Sequence, residues 1–127
     1  MRAGQILGAL VGIGVFVQIF LGESRLAAGV FRDVHATIGL LGIAVVLAYV
    51  YNSRRSGIMV AAASIIAAIT AVQAVMGLSL YGLLPLGISH QALEVSHRFA
   101  AYILFAGGIA VSVLAVVLRR QSAKPKA

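Results

Sequence analysis

The chain has 127 residues, of which 61% are hydrophobic and only 10% are charged, and this composition excludes an ordinary soluble globular domain. It has no cysteine, which excludes disulfides, iron–sulfur clusters and thiolate zinc sites. The net charge of +7 would suit a nucleic-acid ligand. Its basic residues, however, flank apolar segments, as in membrane proteins, so no nucleic-acid partner is expected.

Four apolar segments follow one another, each about 18 to 25 residues long, which is enough for a helix to cross roughly 30 Å of hydrocarbon. They do not alternate as the strands of a membrane barrel would. They predict one all-α domain over residues 1–127, a polytopic membrane protein folded as a four-transmembrane-helix up-down bundle. The predicted helices are about 5–22, 34–51, 57–81 and 90–118, and the first is taken as a helix rather than a cleaved signal peptide.

The basic residues predict an orientation in the membrane. Three of them, Arg25, Arg32 and Arg98, fall on the side of the first and third connections. The positive-inside rule therefore predicts a multi-pass protein of the cell membrane with both termini in the cytoplasm, and with a basic tail that contacts anionic lipid head groups. The residues on the cytoplasmic side are Arg2, Arg54, Arg55, Arg119, Arg120, Lys124 and Lys126.

The connections differ in length and content. Asn52–Ser56 is a short turn, which predicts that the second and third helices are antiparallel neighbours. Glu23–Asp33 and Gly82–Ser89 are longer and more polar, and Pro85 predicts irregular chain in the second of them. Ser89 is a candidate N-cap for the fourth helix.

The two halves resemble one another. Val17–Gly22 reads VQIFLG and Val72–Gly77 reads VQAVMG, and each is followed by a connection, a helix that begins with a histidine, and an Arg-Arg pair. This pattern predicts two similar hairpins in a parallel repeat. Gln18 and Gln73 should face inward, where a helix–helix hydrogen bond is favoured over contact with a ligand.

His35 and His97 are the main candidates for a cofactor site. His35 lies 19 residues before Arg54 and His97 lies 22 before Arg119. At the rise of an α-helix, His35 is about 29 Å from Arg54 and His97 is about 33 Å from Arg119, so the two imidazoles lie within roughly one helical turn of the same level. Diagonal helices of a bundle are about 11–14 Å apart, given neighbour spacings of 8–10 Å. This gap suits a haem iron with one imidazole on each side. The alternative is that both histidines only lie at the membrane interface.

Further polar residues surround this pair. His90, Glu94 and His97 are spaced i, i+4, i+7 and share one helix face. Glu94 could orient an imidazole, relay protons or meet the haem edge, and a copper or zinc site formed by these three residues is an alternative. A di-iron site is disfavoured, because the chain has only three acidic residues.

The arginines on the histidine side are candidate partners for haem propionates. Arg32 and Arg98 could bind these carboxylates through their guanidinium groups, although for Arg98 simple extension to the membrane interface is an equal alternative. For Arg25 the interface role is favoured.

Short motifs resemble the heme A synthases. QIFLGESR (Gln18–Arg25) resembles the end of one of their odd-numbered helices, and LEVSHRFAAYIL (Leu93–Leu104) resembles their Glu-x-x-His-Arg signature. The repeat at Gln73–Gly77 is also similar. The resemblance implies a haem enzyme that oxidises a methyl group of haem O to the formyl group of haem A. It implies Glu94 as the catalytic residue and His35 and His97 as axial ligands of the iron, at a site near the outer surface.

The chain also departs from that family. The common form has eight helices and two haem sites, one for haem b and one for the substrate, whereas four segments predict one site or a homo-oligomer. Asp33-Val34-His35 lacks the full Glu-x-x-His-Arg pattern, and the outer-loop cysteine pair is absent.

Other functions compete with the enzyme. The main alternative is a b-type cytochrome that passes electrons between quinol and a respiratory partner. A haem-free accessory subunit of a respiratory complex is a further possibility. A small transporter is disfavoured, because all three acidic residues lie at one side and none near the midplane.

Overall fold

The computed structural model describes residues 3–24 and 29–122, and within them it contains four α-helices and no strand. Each helix is long and apolar enough to span a membrane, which confirms the predicted four-helix membrane fold. Arg2, Arg25, Lys124 and Lys126 lie outside the described residues. The helices are α1 (Ala3–Glu23), α2 (Val30–Ser53), α3 (Gly57–Leu80) and α4 (His90–Ser122).

The helices form an up-down bundle in ring order. Both α2 and α4 pack against α1 and α3, so α2 and α4 are diagonal, as predicted. We call the end where α1 and α3 finish and α2 and α4 begin the histidine end. The opposite end, which contains the turn at Arg54 and Arg55, is the arginine end.

The α2 helix is longer than the predicted 34–51. It begins at Val30, after Gly29 with a φ of 59°, so the predicted connection Glu23–Asp33 is shortened from its C-terminal side. Asp33 lies in the first turn, where a carboxylate interacts favourably with the free amides of a helix N-terminus. The prediction followed the apolar run, which marks the part of the helix in hydrocarbon rather than its end.

Serine caps begin the third and fourth helices. Ser56 Oγ accepts a hydrogen bond from the Met59 amide at 3.5 Å, and Ser89 Oγ accepts one from the Ala92 amide at 3.3 Å, which confirms the predicted cap. The segment before Ser89 is irregular, as expected from its proline, and Gly82 has a φ of 88°.

The core lies at mid-bundle and takes one residue from each helix. Val11, Val46, Ile66 and Leu104 are all buried and packed together. A methyl group at Gly107 would lie 3.0 Å from Cδ1 of Ile66. The glycine therefore allows α3 and α4 to approach closely, as small residues do in membrane bundles.

The outer surface of the bundle is apolar on every helix. Large side chains there are 60–65% exposed, which is expected where lipid rather than water surrounds the protein. Examples, one from each helix in order, are Phe16, Leu41, Ile65 and Phe99.

Candidate functional site

A cavity of about 400 Å³ lies between the four helices and extends from the histidine end toward the core. Its volume is typical of a small-molecule or cofactor pocket. Val11, Val46 and Leu104 of the core form its floor. The six candidate site residues all line it: Arg32, His35, His90, Glu94, His97 and Arg98.

His35 and His97 face each other in this cavity from the diagonal helices. Their ring centroids are 6.2 Å apart and the ring planes make an angle of 68°. Because metal–imidazole bonds are about 2 Å long, two imidazoles on opposite sides of one metal ion have centroids roughly 6 Å apart. The observed spacing therefore fits axial ligation of a single iron atom by both residues.

A glycine on the adjacent helix lies beside each imidazole. A methyl group at Gly22 of α1 would lie 3.6 Å from Cε1 of His35, and one at Gly77 of α3 would lie 3.4 Å from Cε1 of His97. The two VQ-x-x-x-G motifs thus take equivalent places beside equivalent rings. Each histidine ring therefore packs closely against a glycine of the adjacent helix.

The Nδ1 atoms of both histidines are buried and have no hydrogen-bond partner of normal geometry. The backbone of Gln18 lies beside the His35 ring, and that of Gln73 lies beside the His97 ring. Histidines that bind metals usually donate the second ring N–H to a carboxylate or a backbone carbonyl. The surroundings of both rings fit this role.

Gln18 and Gln73 differ in their side-chain contacts. Gln18 Nε2 donates to the backbone oxygen of His35 at 2.8 Å, which confirms the predicted helix–helix hydrogen bond for this residue. Within the described part of the chain, no such bond joins the Gln73 amide to a neighbouring helix. The Oε1 atoms of both glutamines are buried without a partner.

At the histidine end, α1 is joined to α4 by a polar cluster that we call the Glu23 clasp. The Glu23 carboxylate accepts a hydrogen bond from the Tyr102 hydroxyl at 2.7 Å and pairs with Nε of Arg98 at 3.1 Å. Arg98 also contacts Glu94 at 3.3 Å. The clasp therefore reaches the candidate catalytic carboxylate.

A second cluster, the Asp33 clasp, joins α2 to the end of α3. The Tyr81 hydroxyl donates to Oδ1 of Asp33. Arg32 lies 3.8 Å from the same carboxylate oxygen and stacks 4.4 Å from the centre of the Tyr81 ring. The hydrogen bond to Asp33 raises the pKa of Tyr81 above its usual value, so this hydroxyl stays a donor at neutral pH.

Sequence reasoning did not identify Glu23, Tyr81 or Tyr102 as parts of the site. Glu23 and Tyr102 are 79 residues apart, and Asp33 and Tyr81 are 48 apart, so no local spacing relates them. One signal was present, since tyrosines near the ends of apolar spans commonly lie at the membrane interface.

The two candidate propionate-binding arginines already have protein partners. Arg32 interacts with Asp33 and Tyr81, and Arg98 interacts with Glu23 and Glu94. A guanidinium group has five N–H donors, so each arginine can take a further anion without losing its partner. Arg25 is outside the described residues.

The alternative of a copper or zinc site at His90, Glu94 and His97 finds no support. Across residues 3–24 and 29–122, no group of three or more histidine, cysteine or acidic side chains is placed to hold a metal ion. The three residues share a helix face, as predicted, and all line the cavity. His90 is exposed at the first position of α4.

Comparison with known proteins gives no match to this chain among family models, curated proteins or solved structures.

Proposed function

We propose that this protein binds one haem in the cavity, with His35 and His97 as the axial ligands of the iron. The observation that carries this proposal is the facing pair of imidazoles, 6.2 Å apart across an otherwise largely apolar cavity. An apolar pocket excludes water from a porphyrin, and ligands from two helices fix its plane. The bound iron supplies a centre that can accept and donate single electrons.

The chain's own residues have distinct roles in this proposal. The two imidazoles hold the haem from opposite faces, and Gly22 and Gly77 leave space beside them. Arg32 and Arg98, both about half exposed, bind the propionates at the histidine end through charge-assisted hydrogen bonds.

We further propose that the histidine end is the outer face of the cell membrane. The supporting observation is the placement of Arg54 and Arg55 at the opposite end, since basic residues are enriched on the cytoplasmic side. Both termini would then be cytoplasmic. A homo-oligomer would bring together two such sites, the number found in the eight-helix heme A synthases.

For the activity, we propose oxidation of the methyl group of haem O to the formyl group of haem A. Glu94 favours this over a purely structural haem site, because its carboxylate lines the cavity three residues before His97. The change of a methyl to a formyl group takes its oxygen atom from water and releases four protons and four electrons, and such a carboxylate can accept the protons one at a time and pass them on. The electrons would pass to a quinone or a respiratory-complex partner.

Haem binding is tested by absorption spectra of the purified chain in detergent. We expect a low-spin b-type reduced-minus-oxidised spectrum and a matching pyridine haemochrome. His35→Ala and His97→Ala should each abolish the low-spin signal, whereas His90→Ala, at the exposed start of α4, should keep it. A wild-type chain that stays colourless when haem is supplied would refute the proposal and favour a haem-free accessory subunit.

The enzyme and the electron carrier are separated by Glu94→Gln. Conversion of added haem O to haem A, followed by chromatography of extracted haem, should fall by at least about a hundredfold, the usual effect of losing a general acid–base group. The b-type spectrum should be unchanged. The alternative, a b-type cytochrome that transfers electrons between quinol and a respiratory partner, predicts no conversion by either form.

A further inference from the structure

We infer that Gln18 is a positioning residue that makes the two sides of the site unequal, with His35 as the firmly held ligand and His97 as the exchangeable one. The inference rests on the proposed haem function. Its basis is a difference between the two halves of the bundle, each of which places a glycine of the adjacent helix beside its imidazole.

Gln18 makes a side-chain hydrogen bond to α2. Its Nε2 donates at 2.8 Å to the backbone oxygen of His35, so the contact is made to the ligand residue itself. It joins α1 to α2 at the level of the imidazole, only five residues from the start of α2 at Val30. Helix ends fray more readily than helix centres, so this bond adds to the Asp33 clasp in holding the first turns of α2.

Gly39 leaves space for the Gln18 amide. A methyl group at Gly39 would lie only 3.0 Å from Gln18 Nε2, which is closer than carbon and nitrogen normally approach without a shift. Gly39 follows His35 by four residues, one helix turn away on the same face. The amide can therefore reach the His35 oxygen because α2 has no side chain at this position.

The other half of the bundle lacks this arrangement within the described residues. The residue four positions after His97 is Ala101, so a Cβ is present where α2 has none. Correspondingly, among the described residues the Gln73 amide makes no hydrogen bond to α4. His97 thus lacks the restraint that His35 has, although both rings sit beside a glycine.

The experiment compares the two glutamines in the full-length chain loaded with haem. Gln18→Leu removes the bond, and Gln73→Leu is the matched control in the other half. The measurements are the high-spin fraction by electron paramagnetic resonance and the rate of haem transfer to excess apomyoglobin. We expect Gln18→Leu to raise the transfer rate about fivefold, as for loss of one ordinary neutral hydrogen bond, with a new high-spin signal. Gln73→Leu also changes a residue that lines the cavity but, among the described residues, breaks no hydrogen bond to α4, so its transfer rate should rise less than that of Gln18→Leu, without a new high-spin signal.

A second pair of variants tests the same bond without changing Gln18. Gly39→Ala should displace the amide and reproduce the Gln18→Leu phenotype. Gly12→Ala lies on α1 outside the cavity lining, where a methyl group meets nothing within 4 Å, and should have no effect. Alanine is a better helix former than glycine, so a loss of ligand order in Gly39→Ala cannot be attributed to a weakened helix.

The outcomes separate this inference from the proposed function. Equal effects of Gln18→Leu and Gln73→Leu, or wild-type behaviour of both Gln18→Leu and Gly39→Ala, would overturn the inequality while haem binding stands. A wild-type chain without a bis-histidine spectrum would instead remove the proposed function itself.

Discussion

At Gly77 a methyl group would lie 3.4 Å from Cε1 of His97, and at Gly22 the corresponding distance to His35 is 3.6 Å. At both positions a small residue lets the backbone of an odd-numbered helix support an imidazole of an even-numbered one. A branched side chain there would occupy the place of the ring. The glycines are therefore as important to the shape of the site as the histidines are to its chemistry.

We expect Gly77→Leu to weaken haem binding roughly tenfold, because forcing a large side chain into a packed site costs about 1–3 kcal/mol. Titration of the apoprotein with haemin measures this. Gly12→Leu is the control, since a methyl group there meets nothing within 4 Å. An unchanged affinity of Gly77→Leu would show that the ring does not stay where the structure has it.

Single residues were also the part of the site most open to prediction. Imidazole, carboxylate and guanidinium groups are rare in this apolar chain, and rare polar groups in membrane segments usually have a function. His35, His97 and Glu94 could be named on this basis. The special role of Gln18 could not, because it depends on whether its amide fits beside Gly39, and this is a property of the packed helices.

At the histidine end, the two clasps join the pairs of neighbouring helices that no loop connects there. α1 and α2, like α3 and α4, are consecutive helices connected at this end. The Glu23 clasp joins α1 to α4, and the Asp33 clasp joins α2 to α3. In each clasp a carboxylate accepts from a tyrosine hydroxyl, and both clasps link one hairpin to the other.

We expect Tyr102→Phe to lower the melting temperature of the detergent-solubilised protein by a few degrees, because Glu23 loses one of its two partners. Tyr51→Phe removes a hydroxyl at the arginine end, where the ring stacks on Arg54. This variant should leave the melting temperature unchanged. Circular dichroism at 222 nm follows both transitions. Equal melting temperatures for all three proteins would mean that the clasp contributes nothing to stability.

The elements themselves were predicted well, and their ends less well. Each of the four apolar runs forms a helix, as predicted, because a backbone that spans a bilayer must satisfy its own hydrogen bonds. The start of α2 at Val30 was missed because Arg32 and Asp33 interrupt the apolar run. The clasps were beyond prediction, since their partners are brought together only when the helices pack.

For the molecule as a whole, stability should depend on the core at mid-bundle rather than on apolar area. Lipid is as apolar as the core, so burial against another helix gains packing and not transfer from water. Ile66 is 3% exposed while its neighbour Ile65 is 62% exposed. The two residues therefore provide a matched comparison on one helix.

We expect Ile66→Ala to destabilise the bundle by about 1–3 kcal/mol, below the 2–5 kcal/mol usual for such a change in a soluble core because only the cavity term remains. Ile65→Ala should be within about 0.5 kcal/mol of the wild type. Unfolding from mixed micelles with increasing sodium dodecyl sulfate measures both. Similar losses for the two variants would refute this account of the core.

In the whole bundle, the number of residues between each histidine and the arginine end predicted that His35 and His97 lie at about the same level, because the rise per residue is constant. The 6.2 Å separation of the rings and the cavity between them could not be predicted in the same way. Both depend on the distances between four helices, which are set by residues far from the histidines, such as Gly107 and Ile66.

The cavity ends at its floor and does not continue through the bundle to the arginine end. Val11, Val46 and Leu104 separate the cavity from the arginine end, so a ligand that enters from the histidine end leaves by the same end. The buried core cluster that contains this floor is entirely aliphatic, and an aliphatic layer conducts neither protons nor ions. A redox cofactor could thus sit inside the bundle without creating a leak through a membrane that stores energy as an ion gradient.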